Sequence, residues 1–255
     1  MIRKLTFMSK ISLLLIMFLF SINCFASSEK FKLADEAFMK RADIEKSFTA
    51  HQLYQKLYEE SPDDFEAGWR LAMASYFIGI RHCKDSSKKS EIYAQGRDAG
   101  LASIKLKPNC APCHFWTAIN MALYGESVGI FKMLFTLDEI QEHLKKSIVI
   151  DPTYANSGGY RLMGAIKQKL PGILGGSNRE AKEYFEKAIQ TSPDEPLNYL
   201  FLSTLYRENF NELKKSMELA SKGVMVPEPS SDRLESIEAL AELKKQITEY
   251  PKEAL

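Results

Sequence analysis

The short segment Cys110-Ala-Pro-Cys113-His114 combines residue types and a spacing that support two kinds of chemistry. Two cysteines three positions apart, followed directly by histidine, form the attachment pattern of c-type haem, with His114 as an axial ligand. Alternatively, Cys110 and Cys113 join each other in a disulfide at the start of a helix, where thiolates are favoured. A zinc site here lacks a fourth ligand at a suitable spacing. We predict no cofactor and no metal, with haem c as the alternative, because Trp116 follows on a packing face that leaves little room for a porphyrin.

A second candidate site consists of Asn120, Arg161 and Asn198, which fall on three different predicted helices. Amide and guanidinium groups on neighbouring helices would clamp a peptide backbone or a carboxylate. The alternative is that the three side chains cap loops or bond to neighbouring helices inside the stack. Catalysis is not indicated, because the four histidines are scattered and no nucleophile motif, paired-metal motif or Ser-His-Asp arrangement occurs. We therefore predict a binding protein rather than an enzyme.

An internal repeat supplies the helices that would position these residues. Its clearest copy places Ala181, Phe185 and Ala188 at offsets of four and three, with Pro193 five positions later. Such offsets put the three side chains on one stripe of a helix and the proline just past the helix end. The frame recurs, with variation, over residues 50–62, 96–108, 140–152 and 216–227.

A second helix is predicted after each repeat proline, because an aromatic residue follows Pro62, Pro108, Pro152 and Pro193 at seven or eight positions. The two helices together resemble a tetratricopeptide repeat, whose period is ~34 residues. We predict an all-α fold, a right-handed solenoid of antiparallel helix pairs that each bury a stripe against the next pair. The four aromatics, which we expect to be core residues, are Trp69, Trp116, Tyr160 and Phe201.

The composition fits a globular protein and excludes two functional classes. The chain has 255 residues, of which 45% are apolar and 26% charged, with 34 basic and 33 acidic side chains. Its apolar content is too high and its net charge too low for a disordered chain. The near-neutral charge also argues against nucleic-acid binding, which needs a basic surplus to meet phosphates.

Residues 1–26 have the features of a signal peptide. Arg3, Lys4 and Lys10 precede an apolar run over residues 11–22, and cleavage is expected after Ala26. The alternative is a lipoprotein with a membrane tether at Cys24, although the residues before this cysteine fit poorly. We therefore predict an exported chain whose residues 27–255 form a single helical-repeat domain.

Two insertions interrupt the repeats. The stretch 125–137 is apolar and rich in phenylalanine, and we favour extra packed helix over an exposed surface for ligand, lipid or another subunit. The glycine-rich stretch 169–178 lacks the lysine and hydroxyl spacing of a phosphate loop. It predicts a structural turn that ends in Ser177 as the N-cap of the next helix.

An ordered set of segments resembles the T-component family of TRAP transporter systems. The resemblance covers roughly residues 45–226, and Tyr124, within Tyr124-Gly-Glu126, joins Asn120, Arg161 and Asn198 as a candidate partner-binding residue. The segments are Cys113-His-Phe-Trp116-Thr-Ala-Ile-Asn120, Tyr124-Gly-Glu126, Asp151-Pro152, Gly159-Tyr-Arg-Leu-Met-Gly164, Lys169-Leu-Pro-Gly-Ile-Leu-Gly-Gly-Ser177 and Asn198-Tyr-Leu-Phe-Leu202.

The resemblance implies a non-enzymatic periplasmic protein that associates with the solute-binding subunit of a transporter for organic acids or hydrophobic ligands. It also implies a homo-trimer with a hydrophobic pore through each protomer. Two alternatives stay open at the level of sequence. One is a periplasmic c-type haem protein in electron transfer, and the other is a generic adaptor for assembly in the cell envelope.

Overall fold

The computed structural model describes residues 29–129 and 134–253, which form helices and turns without a strand in either range. The predicted signal peptide and Cys24 lie outside these residues, so that boundary stays a prediction. The helices are α1 (29–39), α2 (Ile44–Glu60), α3 (Phe65–Phe77), α4 (Ser86–Leu106), α5 (Ala111–Val128), α6 (Leu137–Ile150), α7 (Tyr154–Lys169), α8 (Asn178–Thr191), α9 (Pro196–Glu208), α10 (Leu213–Val224) and α11 (Leu234–Glu253).

Consecutive helices pack as pairs, α3 with α4, α5 with α6, α7 with α8 and α9 with α10. The first helices of successive pairs also contact one another, since α5 packs on α3 and on α7, and α9 packs on α7 and on α11. The predicted all-α helical-repeat solenoid is therefore confirmed. Among the helices of the two described ranges, none has the length and apolar character needed to span a bilayer.

The predicted stripe of each second helix forms the core. Ala181, Phe185 and Ala188 on α8 are fully buried, as are Ala50 and Tyr54 on α2. Small residues let the helices approach closely: a Cβ atom on Gly164 of α7 would lie 2.4 Å from the Phe185 ring. The repeat frame thus identified the positions at which one helix crosses the next.

Polar caps and prolines end the helices where the sequence indicates. The Asp64 carboxylate accepts a hydrogen bond from the Glu66 amide at the start of α3. The Ser177 hydroxyl accepts one from the Glu180 amide, as predicted for the start of α8. Pro193 lies two residues beyond the end of α8, where it cannot interrupt the backbone ladder.

The apolar insertion 125–137 is described only in part, because residues 130–133 lie outside the described ranges. Of the side chains that are described, Phe135 is 90% exposed and Val128 is 41% exposed. These two residues do not pack into the core, so for them the prediction of an extra packed turn is wrong.

Candidate ligand-binding chamber

The first helices of the pairs and the beginning of α11 line a partly open cavity of about 300 Å³, which we call the inner chamber. Its wall is mostly apolar, because the aromatic and aliphatic side chains of α1, α3, α5, α7 and α9 point toward the axis of the solenoid. The charged residues among them are Arg41, Arg161, Glu195, Asp232, Arg233 and Glu235. The apolar side chains include Phe38, Phe77, Phe115, Trp116, Leu162 and Phe201.

Arg161 is the charged group of the chamber that has no carboxylate partner among the described residues. Its side chain on α7 donates to the Asn198 Oδ1 atom at 2.6 Å, to the Ala155 carbonyl at 2.7 Å and to the Asn156 carbonyl. Burial lowers the pKa of Arg161 to about 10, so the guanidinium stays protonated at neutral pH. The hydrogen-bond acceptors of this positive charge at the chamber wall are therefore neutral oxygen atoms, while the nearby Glu195 carboxylate favours the charged form without bonding to it.

An unusual backbone turn supplies two of these oxygen atoms. Ala155, Asn156 and Ser157 at the start of α7 have φ angles of 50°, 52° and 66°, in the left-handed region. This conformation is rare for residues other than glycine and costs roughly 1–2 kcal/mol per residue. Strained turns of this kind concentrate at binding and catalytic sites. The Arg161 guanidinium stabilises the turn by donating hydrogen bonds to its carbonyls.

The start of the C-terminal helix α11 covers one side of the chamber, and ion pairs hold it there. Glu235 of α11 pairs with Arg41 at 2.7 Å, and Glu238 pairs with Arg81 at 2.6 Å. Arg233, just before α11, pairs with Glu195 at the start of α9. These contacts fix the start of α11 against the first helices and the turn after α1.

Glu195 is the most deeply buried residue of these ion pairs, with 2% of its surface exposed. Its carboxylate accepts from the backbone amide of Leu197 at 3.0 Å and from the Ser236 hydroxyl at 3.0 Å, besides the Arg233 guanidinium. One side chain thus caps α9 and binds the start of α11 at the same time.

The structure places the four predicted binding residues in different surroundings. Asn120 is fully buried between α3 and α5, where its Nδ2 atom donates to the Ala72 and Trp116 carbonyls, both at 2.8 Å. Asn198 donates to the carbonyls of Ala188 and Ser192 and accepts from Arg161.

Both asparagines therefore link helices inside the stack. Tyr124 lies under the Arg97 guanidinium, 4.4 Å from it, and is half-buried. Only Arg161 and Asn198 come together, and only Arg161 lines the chamber. Ligand contact by Asn120, Tyr124 and Asn198 stays a prediction without geometric support.

Cys110 and Cys113 form a disulfide at the start of α5. His114 is buried, with its Nε2 atom 2.8 Å from the Pro108 carbonyl and its Nδ1 atom 2.9 Å from Nδ1 of His143. Covalent attachment of haem needs both sulfur atoms free and an imidazole nitrogen open to iron. The arrangement gives no support to the haem alternative, because the sulfurs are bonded to each other and both His114 nitrogens have partners.

The sequence did not indicate the remaining charged residues of the chamber. Arg41 and Arg233 lie in turns outside the repeat frame, and α11 adds a helix to which no repeat copy corresponds. Of the four aromatics expected in the core, Trp116 is buried, whereas Trp69, Tyr160 and Phe201 are half-buried. A signal existed for Glu195, since an acidic residue just before Pro196 is typical of a helix start.

An array of helix pairs around a mostly apolar chamber defines a helical-repeat fold of the tetratricopeptide type. The fold matches the crystal structure of a thermophilic tetratricopeptide-repeat protein of Thermus thermophilus with a TM-score of 0.60. That match covers 84% of this chain and 98% of the other at 16% identity, and it concerns the fold alone.

The family is identified by sequence. The family profile described as Regulator of microtubule dynamics protein 1-3 matches residues 31–250, and the chain belongs to this family. Regulator of microtubule dynamics protein 1 of Bos taurus is 30% identical over 197 residues, covering 69% of this chain and 61% of the relative. Regulator of microtubule dynamics protein 3 of Mus musculus is 28% identical over 189 residues, covering 67% of this chain and 39% of the relative. The chain thus matches less than two thirds of the length of these relatives.

This family membership overturns the resemblance on which several expectations depended. The chain is not identified with the T-component family of TRAP transporters, and the expected solute-binding partner is wrong. The homo-trimer, which only that resemblance implied, has no remaining support. The periplasmic location is wrong by the same comparison, since the relatives come from cattle and mouse, whose cells have no periplasm. The alternatives of an electron-transfer haem protein and of an envelope assembly adaptor find no support either.

Proposed function

We propose that this chain is a non-enzymatic binding module that takes part in the regulation of microtubule dynamics by holding a carboxylate-bearing peptide segment in the inner chamber. The names of its relatives support the process, since they are called regulators of microtubule dynamics. The observation that carries the proposed mode of binding is Arg161, a buried guanidinium at the chamber wall without a carboxylate partner among the described residues.

The three arginines and three carboxylates that line the chamber balance in charge, but the hydrogen-bond partners of the arginines favour an acidic ligand at Arg161. Arg41 and Arg233 are neutralised by Glu235 and Glu195, whereas Arg161 is bonded only to carbonyl and amide oxygens. A carboxylate beside a buried guanidinium forms a strong charge-assisted hydrogen bond, because little water screens the pair. A ligand carboxylate would thus bond directly to Arg161, which no carboxylate of the described residues does.

The size and lining of the chamber indicate how large the ligand is and which groups it carries besides the carboxylate. A volume of about 300 Å³ is at the lower end of small-ligand sites, which suits a few side chains rather than a folded domain. Phe115, Trp116 and Phe201 offer aromatic surface close to Arg161. A segment that alternates acidic and aromatic residues would satisfy both features.

Two measurements on the full chain test the proposal. The first is co-sedimentation with polymerised tubulin, in which we expect the protein in the pellet. The second is fluorescence anisotropy with a labelled hexapeptide of alternating glutamate and phenylalanine, compared with its glutamine–phenylalanine counterpart. We expect the acidic peptide to bind at least tenfold more tightly. Equal affinity for the two peptides, or no protein in the pellet, would contradict the proposal.

Variants separate binding at the chamber from binding elsewhere. Arg161→Gln removes the charge, and we expect it to abolish the preference for the acidic peptide, whereas Arg179→Gln on the exposed surface of α8 should not. Leu162→Trp narrows the chamber from a half-buried position and leaves Arg161 intact. Loss of peptide binding in this second variant would place the ligand in the chamber even where the first variant fails to fold.

A further inference from the structure

The Cys110–Cys113 disulfide has features that a structural cross-link does not need. It joins two residues of the same helix start, with only Ala111 and Pro112 between them. A disulfide stabilises a fold by restricting the unfolded chain, and the effect is least for the shortest loops. This bond ties α5 to no other helix, so its contribution to the stack is small.

Cys110 occupies the position at which a helix stabilises a thiolate. It is the N-cap of α5, and its Sγ atom accepts a hydrogen bond from the backbone amide of Cys113 at 3.2 Å. The amide hydrogen bond and the positive end of the helix dipole both favour a negative sulfur at this position. Cys83, by contrast, lies beyond the end of α3 and has neither feature.

The two sulfurs differ in access. Cys110 is 5% exposed and follows the exposed residues 105–109, which are the end of α4 and the loop after it, whereas Cys113 has no exposed surface. Both cysteines are buried, but only Cys110 has any exposed surface, so we expect a thiolate from outside to attack the Cys110 sulfur rather than that of Cys113. The loop is also held in place, because the imidazole of His114 donates from Nε2 to the Pro108 carbonyl at 2.8 Å. Opening the bond thus leaves Cys110 close to the helix start and ready to reform it.

From these four observations we propose that Cys110 and Cys113 form a redox-active pair that exchanges with external thiols while the protein stays folded. The thiolate of a reducing thiol attacks the Cys110 sulfur, forming a mixed disulfide and releasing the electron pair to Cys113, which takes a proton from water. A second thiol then attacks the sulfur that the first one contributed. This step releases Cys110 as a thiolate and yields one external disulfide. The protein gains two electrons and two external thiols are oxidised, and the reverse sequence oxidises the pair.

The test uses the full chain carrying Cys24→Ala and Cys83→Ala, so that only the pair remains. The protein is equilibrated in buffers of reduced and oxidised glutathione, the free thiols are alkylated, and their number is read by intact mass. We expect reversible conversion between zero and two free thiols over an accessible glutathione ratio, with an unchanged circular dichroism spectrum. Reduction only after unfolding by denaturant, or loss of helix on reduction, would show a structural cross-link and overturn the proposal.

Single-cysteine variants identify the attacked sulfur. With Cys113→Ala, the remaining Cys110 should form a mixed disulfide with oxidised glutathione and react with iodoacetamide at pH 6 at least tenfold faster than free cysteine. With Cys110→Ala, the buried Cys113 should react at least tenfold more slowly than Cys110. Equal rates for the two variants, or a Cys110 that reacts no faster than free cysteine, would also overturn it.

Discussion

The Nδ1 atoms of His114 and His143 lie 2.9 Å apart, so a single proton joins the two imidazoles. The arrangement fixes both tautomers. His114 donates from Nε2 to the Pro108 carbonyl, which leaves its Nδ1 atom as an acceptor when the ring is neutral. His143 must therefore donate from Nδ1, and its buried Nε2 atom is unprotonated and without a hydrogen-bond partner.

The buried imidazoles of His143 and His51 make the stability of the folded protein sensitive to acid. Burial, and then the neighbouring His114, lower the pKa of His143 to about 4, and burial lowers the pKa of His51 to about 4. The unfolded chain has an ordinary histidine pKa near 6.5, so it binds protons that the folded protein excludes. We expect the free energy of unfolding to be intact above about pH 6.5 and to fall by roughly 1–2 kcal/mol per histidine by pH 5.

Urea unfolding between pH 7.5 and 5 measures this loss. A His51→Gln, His143→Gln double variant is the matched control, because glutamine cannot titrate. Its stability should change less with pH over this window than that of the unchanged chain, whatever its stability at pH 7.5. Parallel pH profiles for the two proteins would show that other groups cause the acid sensitivity.

Helix α3 approaches α4 so closely at Gly68 that no side chain fits. A Cβ atom at this position would lie 2.2 Å from the Ser103 hydroxyl and 2.8 Å from the Ala99 carbonyl oxygen. Replacing glycine by alanine within a helix ordinarily adds about 0.5–1 kcal/mol of stability. Here we expect Gly68→Ala to lose roughly 1–3 kcal/mol, because the helices must separate.

The matched control is Gly172→Ala, in a short turn where a Cβ atom would meet nothing within 4 Å. Chemical denaturation should find its stability within about 0.5 kcal/mol of the unchanged chain. A Gly68→Ala protein as stable as this control would mean that the α3–α4 contact relaxes freely.

Asn120 joins α3 to α5 from a fully buried position. Asn120→Asp removes its two donated hydrogen bonds and places a carboxylate against the carbonyl oxygens of Ala72 and Trp116. We expect a loss of at least about 3 kcal/mol at pH 7, since a buried charge without a partner is costly. Thermal unfolding followed by circular dichroism provides the readout, and the exposed Asn109→Asp serves as the control.

Glu195 binds α9 and the start of α11 through one carboxylate. Glu195→Gln removes the charge that neutralises Arg233, and we expect roughly 2–3 kcal/mol of destabilisation. The effect should be local, so amide hydrogen exchange should speed up in residues 234–249 before the other helices are affected. Glu183→Gln, on the exposed Arg179 pair, should change the exchange of α11 little. Uniform exchange across the chain would place the role of Glu195 elsewhere.

The core of this protein could be predicted from sequence because its signal is local. Ala181, Phe185 and Ala188 share one face of a single helix, so their spacing alone predicts burial. The inner chamber gives no such signal. It is formed by Arg41, Arg161 and Glu195 from distant parts of the chain, and their proximity depends on how the stack curves.

The mistaken family resemblance has a related physical origin. Asn120 and Gly164, which carried part of it, occupy places where helices cross, and there the packing restricts the choice of residue. Residues of this kind indicate how the helices pack and do not indicate which partner the protein binds. They indicated a helical-repeat fold correctly and gave no sound guide to transport or to compartment.

The ion pairs of Arg41 with Glu235 and Arg81 with Glu238 connect residues 194 and 157 positions apart. In an open repeat array each unit interacts only with its neighbours, so terminal units fray independently. Here the last helix is bonded to the turns beside the first and third helices, and the array closes on itself. Thermal melting should therefore be one cooperative event, and loosening that begins in the final helix should next reach the turns beside the first and third helices rather than the repeats nearest to it in sequence.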